Sequence, residues 1–169
     1  MIQPKINYNE IKIELLDRKY NFNDFTSYEP DLVDFLKEDA LQNQKQMLSV
    51  TFLWFFNDKL VSYITLLNDK INLEGDLKHF FSGKGVYYKS LPSLKVGRLC
   101  VDDRFLRRGL GKLMMIFARE KAREINKDKA GCRFITVDSK IDSIPFYLKL
   151  GFKPLQVGST AMYLDLLTP

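Results

Sequence analysis

Gly109 and Gly111 stand one residue apart, flanked by Arg107, Arg108 and Lys112. Glycine lets a backbone come close to a ligand. The start of a helix adds N–H groups without intrahelical partners and the positive end of the helix dipole. With cationic side chains on both sides, this combination suits a phosphate. A dinucleotide fingerprint would need a third glycine where Met114 stands, and no G-x-x-x-x-G-K-[ST] segment occurs. The bland alternative is a glycine-capped turn with no ligand. The strand-like run before the loop and the helical run after it weigh against that alternative.

Other reactive side chains are scattered. Glu74, Asp102 and Asp103 read as solvated turn carboxylates, since charged residues usually face water. His79, the only histidine, sits beside Phe80 and Phe81 with no catalytic partner at a recognisable spacing. Cys100 and Cys132 lie in apolar runs with no Cys/His pairing. They read as buried thiols, not as nucleophiles, a disulfide framework or a zinc site. Tyr147 carries a phenol of pKa about 10, a competent proton donor. Taken alone it reads as a half-buried aromatic on a short helix.

These groups need elements to hold them. Residues 94–101 form an apolar strand that delivers the chain to the glycine loop, and residues 113–125 form the helix that leaves it. Upstream, residues 11–16 alternate as a first strand. Residues 21–30 are polar and turn-like. After Pro30, apolar residues recur at helical spacing through 31–41, and the helix runs on toward Met47. Residues 48–56 and 60–67 are aromatic and β-branched strands joined by a hairpin turn at Asn57-Asp58-Lys59. Residues 68–93, with three glycines, a proline and four aromatics, read as a long irregular segment, a common home of function. Downstream come a strand at 132–137, a short helix at 143–149 closed by Gly151, and a last strand at 161–166. A hairpin followed by strand–helix–strand–helix–strand describes a mixed α/β domain.

At 169 residues the chain is long enough for one domain, taken as 1–169, with a substantial core. Its 46% hydrophobic and 28% charged residues are ordinary for a soluble protein. The net charge of +5 permits an acidic partner without requiring one. No apolar signal core and no run long enough to cross a bilayer appears, so the expected location is the cytoplasm, with no membrane partner.

Two motifs together carry a resemblance. Arg107-Arg108-Gly109-Leu110-Gly111, preceded by Gly97-Arg98-Leu99-Cys100-Val101-Asp102, resembles the acetyl-CoA motif of the GNAT N-acetyltransferases. Phe146-Tyr147-Leu148-Lys149-Leu150-Gly151-Phe152 resembles the second signature of the same family, in the expected order and separation. The resemblance implies a GNAT fold: a mixed central β-sheet with a splayed pair of strands, flanked by helices. It implies acetyl-CoA as co-substrate and a primary amine as acceptor. Leu99, Cys100 and Val101 would supply the strand that receives the pantetheine arm. Arg107, Arg108, Gly109, Leu110, Gly111 and Lys112 would hold the pyrophosphate, and Tyr147 would be the general acid. Leu106 departs from the family's usual Gln or Arg, and Lys140 stands where many members have Asn. Residues 25–36 with 97–102 look like the branch containing tRNA-acetylating toxins. The acceptor is read as a small molecule, a peptide or an aminoacyl-tRNA. A second copy of the chain is a further candidate partner; the aromatics of 68–93 would line the acceptor site or a face for that copy, or fill the core. The rival reading is a non-catalytic module that binds acetyl-CoA, and the retained Tyr147 argues against it.

Overall fold

The computed structural model describes residues 3–168. Met1, Ile2 and Pro169, the ends of the expected 1–169 domain, lie outside them. The strands are β1 (Ile11–Leu15), β2 (Val50–Phe56), β3 (Lys59–Asn72), β4 (Ser90–Val101), β5 (Phe134–Asp138), β6 (Lys153–Pro154) and β7 (Ala161–Asp165). They form a seven-stranded sheet in the order β1-β2-β3-β4-β5-β7-β6. The helices are α1 (Pro30–Asp34), α2 (Ala40–Lys45), α3 (Gly75–Ser82), α4 (Leu110–Asp128) and α5 (Ile144–Lys149). By packing, the chain divides into two compact units: 1–67 with 96–118, and 68–95 with 119–169.

In the first unit β1 and β2 pair antiparallel with Ile13 opposite Trp54, and β2 and β3 pair antiparallel with Leu53 opposite Tyr63. Asn57 and Asp58 turn this second hairpin, both at positive φ of 49° and 59°. That is the two-residue turn whose twist matches the strands, and Asn and Asp tolerate it best. The expected first helix is present, but α1 and α2 are joined by a π-helical turn at Phe35–Asp39. Phe35, Leu36 and Ala40 from this stretch are buried in a core with Leu16, Phe25, Leu53, Tyr63 and Cys100. The Tyr63 hydroxyl donates to Leu32 O at 2.5 Å, tying the helical stretch to the sheet.

In the second unit β5 and β7 pair antiparallel with Thr136 opposite Tyr163. Arg133 grips Asp165 through both carboxylate oxygens, at 2.8 and 2.9 Å. Ile71, Leu73, Phe81 and Phe134 form one buried cluster in it. The expectation of an irregular 68–93 is corrected here. Strand β3 continues to Asn72, α3 follows, and β4 begins at Ser90. Phe81 is the anchor, 1% exposed and edge-on to Phe134. Strand β6 was also not expected, because a two-residue strand containing a proline has no periodicity to read.

Candidate active site

Strand β4 ends in a clasp. Asp102 N–H bonds to Val61 O at 2.9 Å. The Asp102 carboxylate is fully buried and accepts four N–H groups. Two are backbone, Thr26 and Arg104, each at 3.0 Å. Two are the Nε and Nη2 of Arg104, each at 2.8 Å. Arg104 Nη2 also reaches Asp24 O at 2.6 Å, and Asp103 Oδ1 accepts from Tyr28 N–H at 3.1 Å. The strand exit therefore pins residues 24–28, the stretch expected to be only a polar turn. The solvated carboxylate expected at Asp102 is corrected: its negative charge is buried and matched by a bidentate guanidinium. Burial pushes the Asp102 carboxyl up, but Arg104 and the two backbone donors outweigh it and hold it below the usual range. It is thereby unsuited to act as a base near neutrality.

The glycine loop follows. Arg107 and Gly109 both adopt left-handed backbone, at φ of 61° and 89°. Glycine takes that conformation freely, whereas an arginine held there stores strain of about 1–2 kcal/mol. Alternating backbone hands of this kind turn N–H groups toward one concavity. Arg108 serves the protein itself. Its Nε donates to Pro4 O at 2.9 Å, its carbonyl accepts Ile6 N–H at 3.0 Å, and its guanidinium lies 5.2 and 5.6 Å from the Phe56 and Phe105 rings. Helix α4 starts one turn earlier than its apolar pattern suggested, because Leu110 packs at 1% exposure. Its first ladder bond runs from Leu113 N–H to Gly109 O at 3.1 Å. The amides of Leu110, Gly111 and Lys112 precede that ladder.

Leu99 and Val101 are half-buried on β4, and Cys100 is 3% exposed in the core. Burial pushes the Cys100 thiol up to about 11, and Ser27 only partly offsets it. It is a core thiol, as the sequence suggested, and so inert as a nucleophile. Cys132 is likewise buried and unpaired.

Tyr147 lies in the second unit. Helix α5 carries Pro145 in its first turn and ends in a Schellman cap. Gly151 stands at φ 89°, Gly151 N–H bonds Leu148 O at 3.0 Å, and Phe152 N–H bonds Tyr147 O at 3.1 Å. This cap characteristically brings the residue after the glycine onto the residue where the last turn begins. Here those residues are Phe152 and Tyr147, with ring centroids 5.3 Å apart, and Phe146 packs at 5.0 Å on another side. The Phe-Tyr-x-x-x-Gly-Phe pattern is thus a device for locking one phenol. Tyr147 is 8% exposed, and burial pushes its hydroxyl up to about 12. Among the described residues the hydroxyl has no hydrogen-bond partner.

The remaining candidates are peripheral. His79 is exposed in the last turn of α3, with Nδ1 3.0 Å from Gly75 O. Glu74 precedes α3 and lines, with Phe80, Arg119, Lys153 and Tyr163, a cleft of about 1130 Å³. Lys140 spends its carbonyl on Ser139 Oγ, at 2.7 Å, and on Ser143 N–H, at 2.9 Å.

A family model described as acetyltransferase (GNAT) domain matches residues 22–161, and the chain belongs to that family. It is thus an acetyltransferase of the GNAT type. No curated protein matches the sequence. Among solved structures it is similar to a tyrosine-to-phenylalanine mutant of KacT, at TM-score 0.82 and 21% identity over 93% of this chain and 95% of that one. It is similar to AtaT complexed with acetyl-methionyl-tRNAfMet, at TM-score 0.79 and 21% identity over 92% and 94%. AtaTR bound with acetyl-CoA gives 0.77 and 22% over 94% and 95%. These likenesses establish the GNAT fold, a mixed sheet flanked by helices. No helix among the described residues is long and apolar enough to cross a membrane.

Proposed function

We propose that this acetyltransferase moves the acetyl group of acetyl-CoA to the α-amino group of an aminoacyl-tRNA, with Tyr147 as general acid. Acetyl-CoA supplies the activated acyl group as a thioester. The residues around the glycine loop suit its pyrophosphate: the amides of Gly109, Leu110, Gly111 and Lys112, and the exposed side chains of Arg107 and Lys112. Arg108 shapes the loop from within, through its bonds to Pro4 and Ile6. This refines the expectation that Arg108 contacts phosphate directly. Backbone groups of Leu99, Cys100 and Val101 hold the pantetheine arm, and their N–H groups polarise the acyl carbonyl.

Tyr147 holds a proton at its phenol oxygen throughout the physiological range, as any phenol of pKa about 10 does, and burial raises it further, to about 12. A group in that state donates; it does not act as a base. As the amine nitrogen bonds to the acyl carbon and the carbon–sulfur bond breaks, the phenol proton goes to the departing sulfur; the proton that the acylated nitrogen then sheds to water is matched by one that returns the Tyr147 phenolate to phenol. The observation that carries the catalytic reading is a buried phenol locked on a capped helix with its hydroxyl free of protein partners.

The acceptor reading draws on the likeness to AtaT, which is seen with acetyl-methionyl-tRNAfMet. AtaT is also described as a toxin bound to the C-terminus of an antitoxin, AtaR, so a protein partner of that kind belongs to the same reading. The test supplies radiolabelled acetyl-CoA with a charged tRNA pool, an uncharged pool and a panel of small amines. Label on the charged pool alone is the expected result. Label on small amines with none on charged tRNA would overturn the acceptor assignment.

A further inference from the structure

The charge of this chain is concentrated in one place. Residues 77–101 contain five of the 26 Lys and Arg and none of the 21 Asp and Glu. The rest of the chain is therefore balanced, with 21 of each sign, and this window carries the whole +5. Lys95 is tied to Asp138 at 2.5 Å, and Arg98 lies over the Phe35 ring at 4.9 Å. Lys78, Lys84 and Lys89 are exposed, and among the described residues they form no salt bridge.

Aromatic rings are exposed among them. Tyr87 is 80% exposed, Tyr88 74% and Phe80 49%. Lys84 Nζ sits 4.4 Å over the Phe80 ring. The backbone beneath is well tied. Lys84 and Val86 N–H both bond to Phe81 O, at 3.0 and 2.9 Å, Gly85 N–H bonds to Ser82 O at 3.0 Å, and Leu73 N–H bonds to Lys89 O at 2.9 Å. Phe81 points the other way, into the core. Two adjacent tyrosines held out to solvent gain nothing for folding, since burial is what makes an aromatic stabilising.

We propose that residues 78–89 form a docking surface for single-stranded RNA. The tyrosine and phenylalanine rings stack on unpaired bases, and Lys78, Lys84 and Lys89 take the phosphates. Every base has a π-face and every nucleotide a phosphate, so a ring-and-lysine surface reads unpaired RNA without needing sequence. The window itself contributes no carboxylate to repel a polyanion, and Asp165, the carboxylate that feels the Lys84 charge, is itself paired with Arg133. The proposal rests on the aminoacyl-tRNA reading and assigns the surface that grips that acceptor's unpaired nucleotides.

The probe is a short, unstructured, fluorescently labelled RNA, followed by anisotropy across a salt series. The Tyr87→Ala/Tyr88→Ala variant should bind about tenfold more weakly or worse. Tyr87→Phe/Tyr88→Phe, which keeps the rings, should bind as the native chain does. Lys78→Gln/Lys84→Gln/Lys89→Gln should flatten the salt dependence by about two units of slope, since each phosphate contact on a single strand contributes about 0.7. Unchanged melting temperature and unchanged acetyl-CoA binding identify the variants as folded. Native affinity in the double alanine variant would overturn the proposal. So would an acidic peptide that binds the same lysines as tightly as RNA does. Failure here is separable from failure of the acceptor reading. RNA binding without acetylation of charged tRNA sinks the acceptor and leaves the surface. Acetylation with the same KM in the double alanine variant sinks the surface and leaves the acceptor.

Discussion

Asp102 and Tyr147 are both buried and both ionisable, yet their surroundings are opposite in kind. Asp102 is saturated: four N–H groups converge on its two oxygens, and it holds residues 24–28 to the end of β4. Tyr147 is held by shape, through two neighbouring rings and the glycine cap of its own helix. Hydrogen bonds to a charged form stabilise that form and make a group structural. Packing fixes a ring's position and leaves its hydroxyl available. The difference teaches which buried ionisable group to suspect of chemistry: the one whose polar atom the protein has not used.

Substitutions at the two places should separate them, in order of effect on stability. Asp102→Ala should cost about 3 kcal/mol in urea denaturation, because removing one partner of a buried pair leaves polar groups stranded. A loss below about 1 kcal/mol would break the contrast. The same site sets an acid dependence. The Asp102 carboxyl titrates lower in the folded chain than in the unfolded one. Its stabilisation is therefore present above the unfolded pKa of about 3.9 and lost as pH falls through the folded value. The stability gap between the native chain and Asp102→Asn should narrow below about pH 4.

Gly151→Ala is the intermediate case. A Cβ there would stand 3.5 Å from Leu164 Cδ1, an ordinary contact, so the cost comes from backbone conformation. About 1–2 kcal/mol is expected for an L-residue at φ 89°. Transfer should fall further than stability does, since the cap seats Tyr147. Equal losses would show that the cap serves the fold alone.

Much of this was legible in the sequence because the signals are local. Glycines flanked by arginines after a strand mark the loop, and Gly151-Phe152 after Phe146-Tyr147 marks the capped helix. The Asp102–Arg104 clasp was hidden because its partners, Asp24, Thr26 and Tyr28, lie far away in sequence. Its only local sign is an arginine two residues after an aspartate. Arg108 shows a similar limit: charge announces a cation, but not that Pro4, Ile6, Phe56 and Phe105 surround it. Residues 68–93 read as irregular because Gly75, Gly83 and Gly85 break the periodicity. The hydrogen bonds around Phe81 nonetheless order the segment.

The most direct test is Tyr147→Phe. It keeps the ring against Phe146 and Phe152 and removes only the hydroxyl, which no described residue bonds. Stability should stay within about 0.5 kcal/mol of the native value and acetyl-CoA affinity should be unchanged. Transfer of acetyl from acetyl-CoA should fall by about 10²–10⁴-fold. Native turnover in this variant would contradict the assignment of Tyr147 as the acid.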